Sequence, residues 1–269
     1  MTFTNRTVGQ LTYLTSPLLD RCGGIAHGFS TRLGGVSVPP WDSLNLGVGR
    51  GDDMGHVLEN YRRFCGTIGV DAGRTVLSRQ VHEDHVLIAS EEDAGKGLFR
   101  ERDYLTDAII TNVPGLALAV FSADCGTALL YDPVTRCVGA VHAGWRGVAN
   151  GILRKTALEL GRVYGAKPEN LRAAFGPSIG QCCFETDDDV PQAMRSAFGM
   201  EAESFFQRRG PKWHVDLKGL NARWLLDLGV PSGQVDICDL CTACRTDLFW
   251  SYRKVGNVRG AQAAMIALN

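Results

Sequence analysis

The chain has 269 residues, 45% of them hydrophobic, and a formal net charge of −1. That length allows one large domain or two ordinary ones, and the apolar share supports a substantial core. The balanced charge gives no reason to expect nucleic acid as a partner, and no run approaches the roughly 18 apolar residues of a membrane span.

In chain order, Met1-Thr-Phe-Thr-Asn-Arg6 lacks the apolar stretch of a secretory signal, which points to the cytoplasm. Strands are expected near 8–14 and 24–29. Ser30-Thr-Arg-Leu-Gly-Gly35 reads either as an anion-binding loop using Arg32 and backbone N–H groups or as a tight turn with a solvated arginine. Leu44-Asn-Leu-Gly47 offers a second binding loop or a plain turn. Val57, Tyr61, Phe64 and Ile68 at helical spacing, closed by Gly69, predict a helix over 56–69. Strands follow near 75–81, 84–89, 107–111, 116–122, 127–131 and 136–142, with a polar surface loop at 91–97. A helix is expected over 147–164, stopped at Gly165. Beyond it come strands near 171–175, 212–215 and 235–238 and a weaker helix over 188–198. A last helix over 217–228 is N-capped by Asp216 and ended by Gly229. Hairpin-rich strands with scattered helices indicate an α+β class, with neither a Rossmann fingerprint nor a P-loop. No repeat, low-complexity tract or Pro/Ser-rich linker divides the chain, so one domain over 1–269 is expected.

Three apolar runs, 116–121, 128–131 and 137–141, read as a meander of buried strands. Its first and third strands run the same way, which puts Cys125 and His142 at one edge of one sheet. His82 closes the run Val76-Leu-Ser-Arg-Gln-Val81 and makes a third candidate. A His/Cys/His set suits a catalytic zinc site, because three protein ligands leave the fourth position for water or substrate. The same residues also fit a thiolate nucleophile with its base, or a buried thiol beside hydrogen-bonded histidines. His85, three residues on, faces the other side of a strand and is set aside. His27 reads as a satisfied core or edge histidine, and His56 and His214 as surface or helix-start residues.

The nine cysteines are an odd count, which argues against a complete disulfide framework, and a reducing compartment would keep them as thiols. Cys238, Cys241 and Cys244 form a Cys-x-x-Cys-x-x-Cys run that Cys182 or Cys183 could complete as a structural zinc or iron–sulfur site; buried thiols are the plainer reading. Arg146 reads as a cation for a phosphate or carboxylate beside the metal, or as a partner of Asp124.

Several segments together resemble the YfiH-like family, first described as laccase-domain polyphenol oxidases and later as zinc-dependent purine nucleoside phosphorylases. They include Phe29-Ser-Thr-Arg-Leu-Gly-Gly35, Leu44-Asn-Leu-Gly47, Glu59-Asn60 with Arg62, Gln80-Val-His82, Ala123-Asp-Cys125, His142-Ala-Gly-Trp-Arg-Gly147, Gly176-Pro-Ser-Ile-Gly180 and Phe249-Trp-Ser-Tyr-Arg253. The resemblance implies a sandwich-like core of mixed β-sheets flanked by helices, with His82, Cys125 and His142 as catalytic zinc ligands. It implies phosphorolysis of adenosine and inosine, with 5′-methylthioadenosine cleavage and adenosine deamination beside it. The partners would be a purine nucleoside and phosphate, with Arg32, Asn45, Arg62 and Arg146 as candidate substrate contacts. Removal of misincorporated serine from a nucleotide-linked peptidoglycan precursor is a second expectation. Copper-dependent phenol oxidation is a third; copper favours such donors, but six histidines are few for a multicopper oxidase. Monomer and homodimer are equally open. Two departures stand out. Gly126-Thr127 replaces a loop where the family carries proline, and Arg259-Gly-Ala261 replaces a Thr-Gly-Arg step.

Overall fold

The structure, a computed structural model, describes residues 3–269. The strands are β1 (Thr4–Val8), β2 (Leu11–Thr15), β3 (Ile25–Ser30), β4 (Thr75–Leu77), β5 (Val86–Ile88), β6 (Ala108–Thr111), β7 (Ala117–Ser122), β8 (Gly126–Asp132), β9 (Cys137–Ala143), β10 (Arg172–Phe175), β11 (Glu185–Thr186), β12 (Phe206–Arg209), β13 (Lys212–Val215), β14 (Val235–Ile237) and β15 (Gln262–Leu268). The α-helices are α1 (Pro17–Asp20), α2 (Met54–Ile68), α3 (Trp145–Ala149), α4 (Ile152–Tyr164), α5 (Asp189–Phe198), α6 (Leu217–Asp227) and α7 (Tyr252–Val255). Among the described residues no helix is long and apolar enough to cross a membrane.

Two six-stranded mixed sheets carry the fold, in the orders β1-β2-β3-β15-β7-β4 and β14-β10-β8-β9-β6-β5. Alternation along the strands explains the layering. Leu118 and Val120 of β7 and Ala264 and Ile266 of β15 share one buried cluster with Leu129 of β8 and Val138 and Ala140 of β9, which is the space between the sheets. Ala119, Phe121, Ala263 and Met265 point the other way, onto Val57, Tyr61 and Phe64 of α2. Ala128, Leu130 and Val141 leave the second sheet on its far side and meet Ile152, Leu153 and Leu160 of α4 and Leu220 and Leu225 of α6. The molecule is a helix–sheet–sheet–helix sandwich of the expected α+β class. Strands buried on both faces read as continuous apolar runs.

The expected meander is corrected. β7 lies in the first sheet between β15 and β4, whereas β8 and β9 pair antiparallel in the second. The link Ala123-Asp-Cys125 therefore crosses between sheets. The start of β8 still lies beside the end of β9, with Thr127 opposite His142, so Cys125 and His142 meet by a different route.

The helix expected over 147–164 is two helices, broken where Gly151 adopts φ +74°. The strand expected over 8–14 is a hairpin turning at Gly9 (φ +58°). The strand expected to 81 stops at Leu77. β15, absent from the expectations, pairs on both sides with β3 and β7. Its alanine-rich sequence carries little strand preference, and tertiary pairing decides it. His214 is no surface residue: it is a buried member of β13, and its Nδ1 lies 2.8 Å from the Gln181 carbonyl.

Candidate active site

The crossover between sheets, the end of β9 and the loop after β4 meet at one end of the sandwich. There the fully buried Asp107 accepts four hydrogen bonds. Its Oδ2 takes the backbone N–H groups of Val81 (3.0 Å) and Glu83 (3.1 Å), and its Oδ1 takes that of His82 at 3.1 Å. The same Oδ1 lies 2.7 Å from His142 Nδ1. One carboxylate thus holds the His82 loop in its left-handed turn (φ +63°) and fixes the other imidazole. With Nδ1 donating to Asp107, the free lone pair of His142 is on Nε2, the arrangement of a carboxylate–histidine–metal triad.

Cys125 is set by Asp124, whose backbone also takes a positive φ, +97°. The Asp124 carboxylate accepts Thr242 Oγ1 (2.6 Å), Ser251 Oγ (3.0 Å) and the N–H of Arg253 (2.7 Å). These bonds, not Arg146, satisfy it. The Cys125 sulfur lies 4.0 Å from His82 Nε2, and the two imidazoles stand edge to face with centroids 5.0 Å apart. Ligand atoms of His82, Cys125 and His142 all fall within 4.8 Å of one another. Burial pushes the Cys125 thiol up, but hydrogen bonds and charge from His142 and His82 outweigh it and bring it down to about 6. Burial pushes His142 down, but Asp107 and Cys125 raise it to about 9. The cluster therefore favours a thiolate beside a protonated His142, whose Nε2 proton a bound cation would replace. Gly144 borders it so closely that a Cβ there would come within 3.0 Å of the His82 ring and 3.3 Å of the Cys125 sulfur. Thiolate and imidazole donors in a three-member set suit zinc or another borderline-soft ion and leave one position open.

The cluster opens into a cavity of about 470 Å³, within the usual range of small-molecule sites. Phe121, Trp145, Phe184 and Tyr252 line it, as do Arg50, Arg146, Arg253 and Arg259. Arg259 is 7% exposed and its Nε has no hydrogen-bond partner. Burial, and then the charge of Arg50, push its guanidinium below its ordinary value. A guanidinium stays charged nonetheless, so this corner is built for an anion.

Of the four substrate contacts expected from sequence, only Arg146 lines the cavity. Arg32 stacks on Trp250 at 4.0 Å and donates to the Asp42 and Thr246 carbonyls, closing its own loop. Arg62 stands on α2, largely exposed and 3.9 Å from Glu59. Asn45 is buried: its Oδ1 accepts the N–H groups of Gly47 (2.8 Å) and Ala261 (3.0 Å), and its Nδ2 donates to Asp52. It is a brace for the cavity wall at Ala261. Sequence reasoning missed the roles of Asp107, Arg50 and Arg259. The signal for Arg259 was present in the Arg259-Gly-Ala261 departure, and both residues line the cavity. Gly126-Thr127 simply opens β8 beside β9.

Residues 26–269 match the family model described as multi-copper polyphenol oxidoreductase laccase. The chain is 33% identical over 246 residues to the purine nucleoside phosphorylase YlmD of Bacillus subtilis (strain 168), covering 91% of this chain and 88% of that one. It is 37% identical over 246 residues to the purine nucleoside phosphorylase YfiH of Escherichia coli (strain K12), covering 91% and 94%. The crystal structure of YlmD from Geobacillus stearothermophilus superposes with a TM-score of 0.92 at 30% identity, covering 99% and 98% of the two chains. The chain belongs to this laccase-type, YfiH-like family.

Proposed function

We propose that this family member is a metal-dependent purine nucleoside phosphorylase that converts inosine and adenosine to ribose 1-phosphate and the free base. His82, Cys125 and His142 hold a zinc ion, and Arg259, with Arg50 and Arg146, holds phosphate. The names of the relatives support the reaction class. The observation that carries the reading for this chain is Arg259: a buried cation with an unpartnered Nε, in the same cavity as the three ligand residues.

When bound, the zinc supplies a Lewis acid at the edge of the cavity. The chain's own groups do the rest. The arginines gather the phosphate dianion and aim one oxygen at C1′ of the ribose. That oxygen bonds to C1′ as the C1′–N9 bond breaks. The electron pair of the broken bond leaves with the purine, which takes up the proton that the attacking hydrogen phosphate gives up. Negative charge on the phosphate stabilises the cationic sugar in the transition state, and Phe121 and Phe184 offer apolar faces for the purine. The same cavity is proposed to cleave 5′-methylthioadenosine and to deaminate adenosine as a side reaction. Phenol oxidation by several coppers fits less well. Among the described residues, the other group spaced for a metal consists of cysteines alone, which gives no second histidine cluster.

Replacing Arg259 tests the proposal. Arg259→Ala is expected to raise the phosphate KM by about 10–100-fold, the worth of a charge-assisted hydrogen bond or two, while bound metal stays constant. An unchanged phosphate KM would remove Arg259 from the mechanism. Base release that needs no phosphate would remove phosphorolysis itself.

A further inference from the structure

A second group of thiols lies outside the cavity and takes no part in the chemistry above. Cys182 and Cys183 sit between β10 and β11, and Cys241 and Cys244 follow β14. Cys238, expected with them, is fully buried elsewhere and is not in the group. The four sulfurs all lie within 4.8 Å of one another. Cys244 Sγ is 3.6 Å from Cys182 Sγ and 3.4 Å from Cys183 Sγ. A disulfide needs about 2.05 Å. Four thiolates around one tetrahedral ion, each about 2.3 Å from it, stand about 3.8 Å apart. The observed spacing matches a shared single ion. A cluster of several irons would hold its thiolates farther apart, since the irons and sulfides lie between them.

Hydrogen-bond donors favour negative charge at Cys241, while burial and the neighbouring thiols push Cys182 up to about 11 and Cys183 further up. Cys241 Sγ accepts the N–H of Gly180 at 3.2 Å, and backbone hydrogen bonds from Ala243 and Cys244 also reach it. Lys218 is 9% exposed and donates to the carbonyls of Cys238 (2.6 Å) and Leu240 (2.9 Å), which brings its ammonium charge to the Cys241 side of the group. Four thiolates on a divalent ion carry a net charge of about −2, which a buried cation and aimed amides offset. An all-sulfur tetrahedral set selects zinc and leaves no open position.

We propose that Cys182, Cys183, Cys241 and Cys244 bind a second, structural zinc ion that staples the segment after β10 to the segment after β14. The apolar contacts at this place are few: Ile179, Cys241 and Ala243, with Cys183 and Phe184 against them. What the staple braces is the active site. Thr242, inside the Cys241–Cys244 loop, donates to the Asp124 carboxylate, and the N–H of Ile179 donates to the Asp124 carbonyl at 2.8 Å. Asp124 precedes the Cys125 ligand, and Ile179 and Phe184 line the cavity.

The test counts metal in the full-length protein. Wild type is expected to carry two zinc ions per chain by elemental analysis. A triple variant, His82→Ala with Cys125→Ala and His142→Ala, is expected to keep one. Loaded with cobalt(II), that triple variant should show the strong sulfur-to-metal charge-transfer absorption of a tetrahedral four-thiolate site, with every proposed ligand still in place. Adding Cys182→Ser should weaken its zinc binding at least tenfold. A triple variant that is zinc-free, gives no cobalt–thiolate spectrum, or has a Cys182–Cys244 or Cys183–Cys244 disulfide by mass spectrometry would overturn the staple while leaving the phosphorylase proposal untouched.

Discussion

The His82–Cys125–His142 group and the Cys182–Cys183–Cys241–Cys244 group differ in nearly every property that decides what a bound ion does. The first mixes nitrogen with sulfur, has three members and opens into a cavity lined by arginines and aromatic rings. The second is all sulfur, has four members and includes two exposed thiols. Asp107, a buried carboxylate, orients the first through both histidines. Backbone N–H groups and Lys218 surround the second. An incomplete set in a cavity leaves the ion free to meet substrate, and a complete one at the surface uses the ion to hold chain segments together. Cysteine spacing alone does not separate the two roles; the missing fourth donor does.

Breaking the first group gives the largest effect. Cys125→Ala or His142→Ala is expected to reduce base release to background and to remove one zinc ion per chain, with the surface thiol group unaffected. Loss of both ions from a folded variant would show that the two groups are not independent. Asp107→Asn is the next largest. It keeps the shape but weakens the acceptor that sets both histidines, and an expected 10–100-fold loss in metal affinity or activity follows. Metal titration against a competing chelator checks it, and unchanged affinity with unchanged activity would deny Asp107 its positioning role.

The smallest effect separates scaffold from site. His27, 7% exposed, accepts the Ser16 N–H through Nε2 at 3.0 Å. Burial pushes it down to about 4, against the weaker opposing pull of Asp20. Its folded value thus lies below its unfolded value of about 6.5, so its share of stability is whole above that pH. That share falls as pH drops toward 4, by about 3 kcal/mol at most. His27→Gln keeps an acceptor and cannot titrate. Between pH 6.5 and 4 wild type should lose more unfolding free energy than the variant; parallel curves would clear His27 and point to acid release of metal instead.

Much of this was legible in the residues. The apolar runs marked β7, β8 and β9, and Gly69, Gly165 and Asp216 marked helix ends as found. Which sheet each strand joins was not legible, because runs buried on both faces look alike in either sheet. The three candidate ligands converge as expected, although His82 lies in a turn and not at a strand end. Arg32 and Arg62 show the limit most clearly. A motif arginine that stacks on Trp250, or one that rides an exposed helix, has the same one-letter symbol as one buried in a cavity. The Arg259-Gly-Ala261 departure marked the place, but the burial and the unpartnered nitrogen that set Arg259 apart are properties of the fold.

The most direct measurement is hypoxanthine release from inosine, with and without phosphate, by wild-type protein of known metal content beside Cys125→Ala. Release that requires phosphate, yields ribose 1-phosphate in equal amount and disappears with the zinc lost in Cys125→Ala is the expected result. A zinc-loaded wild type that releases no base, or releases it equally without phosphate, would contradict the assignment of this cavity to purine nucleoside phosphorolysis.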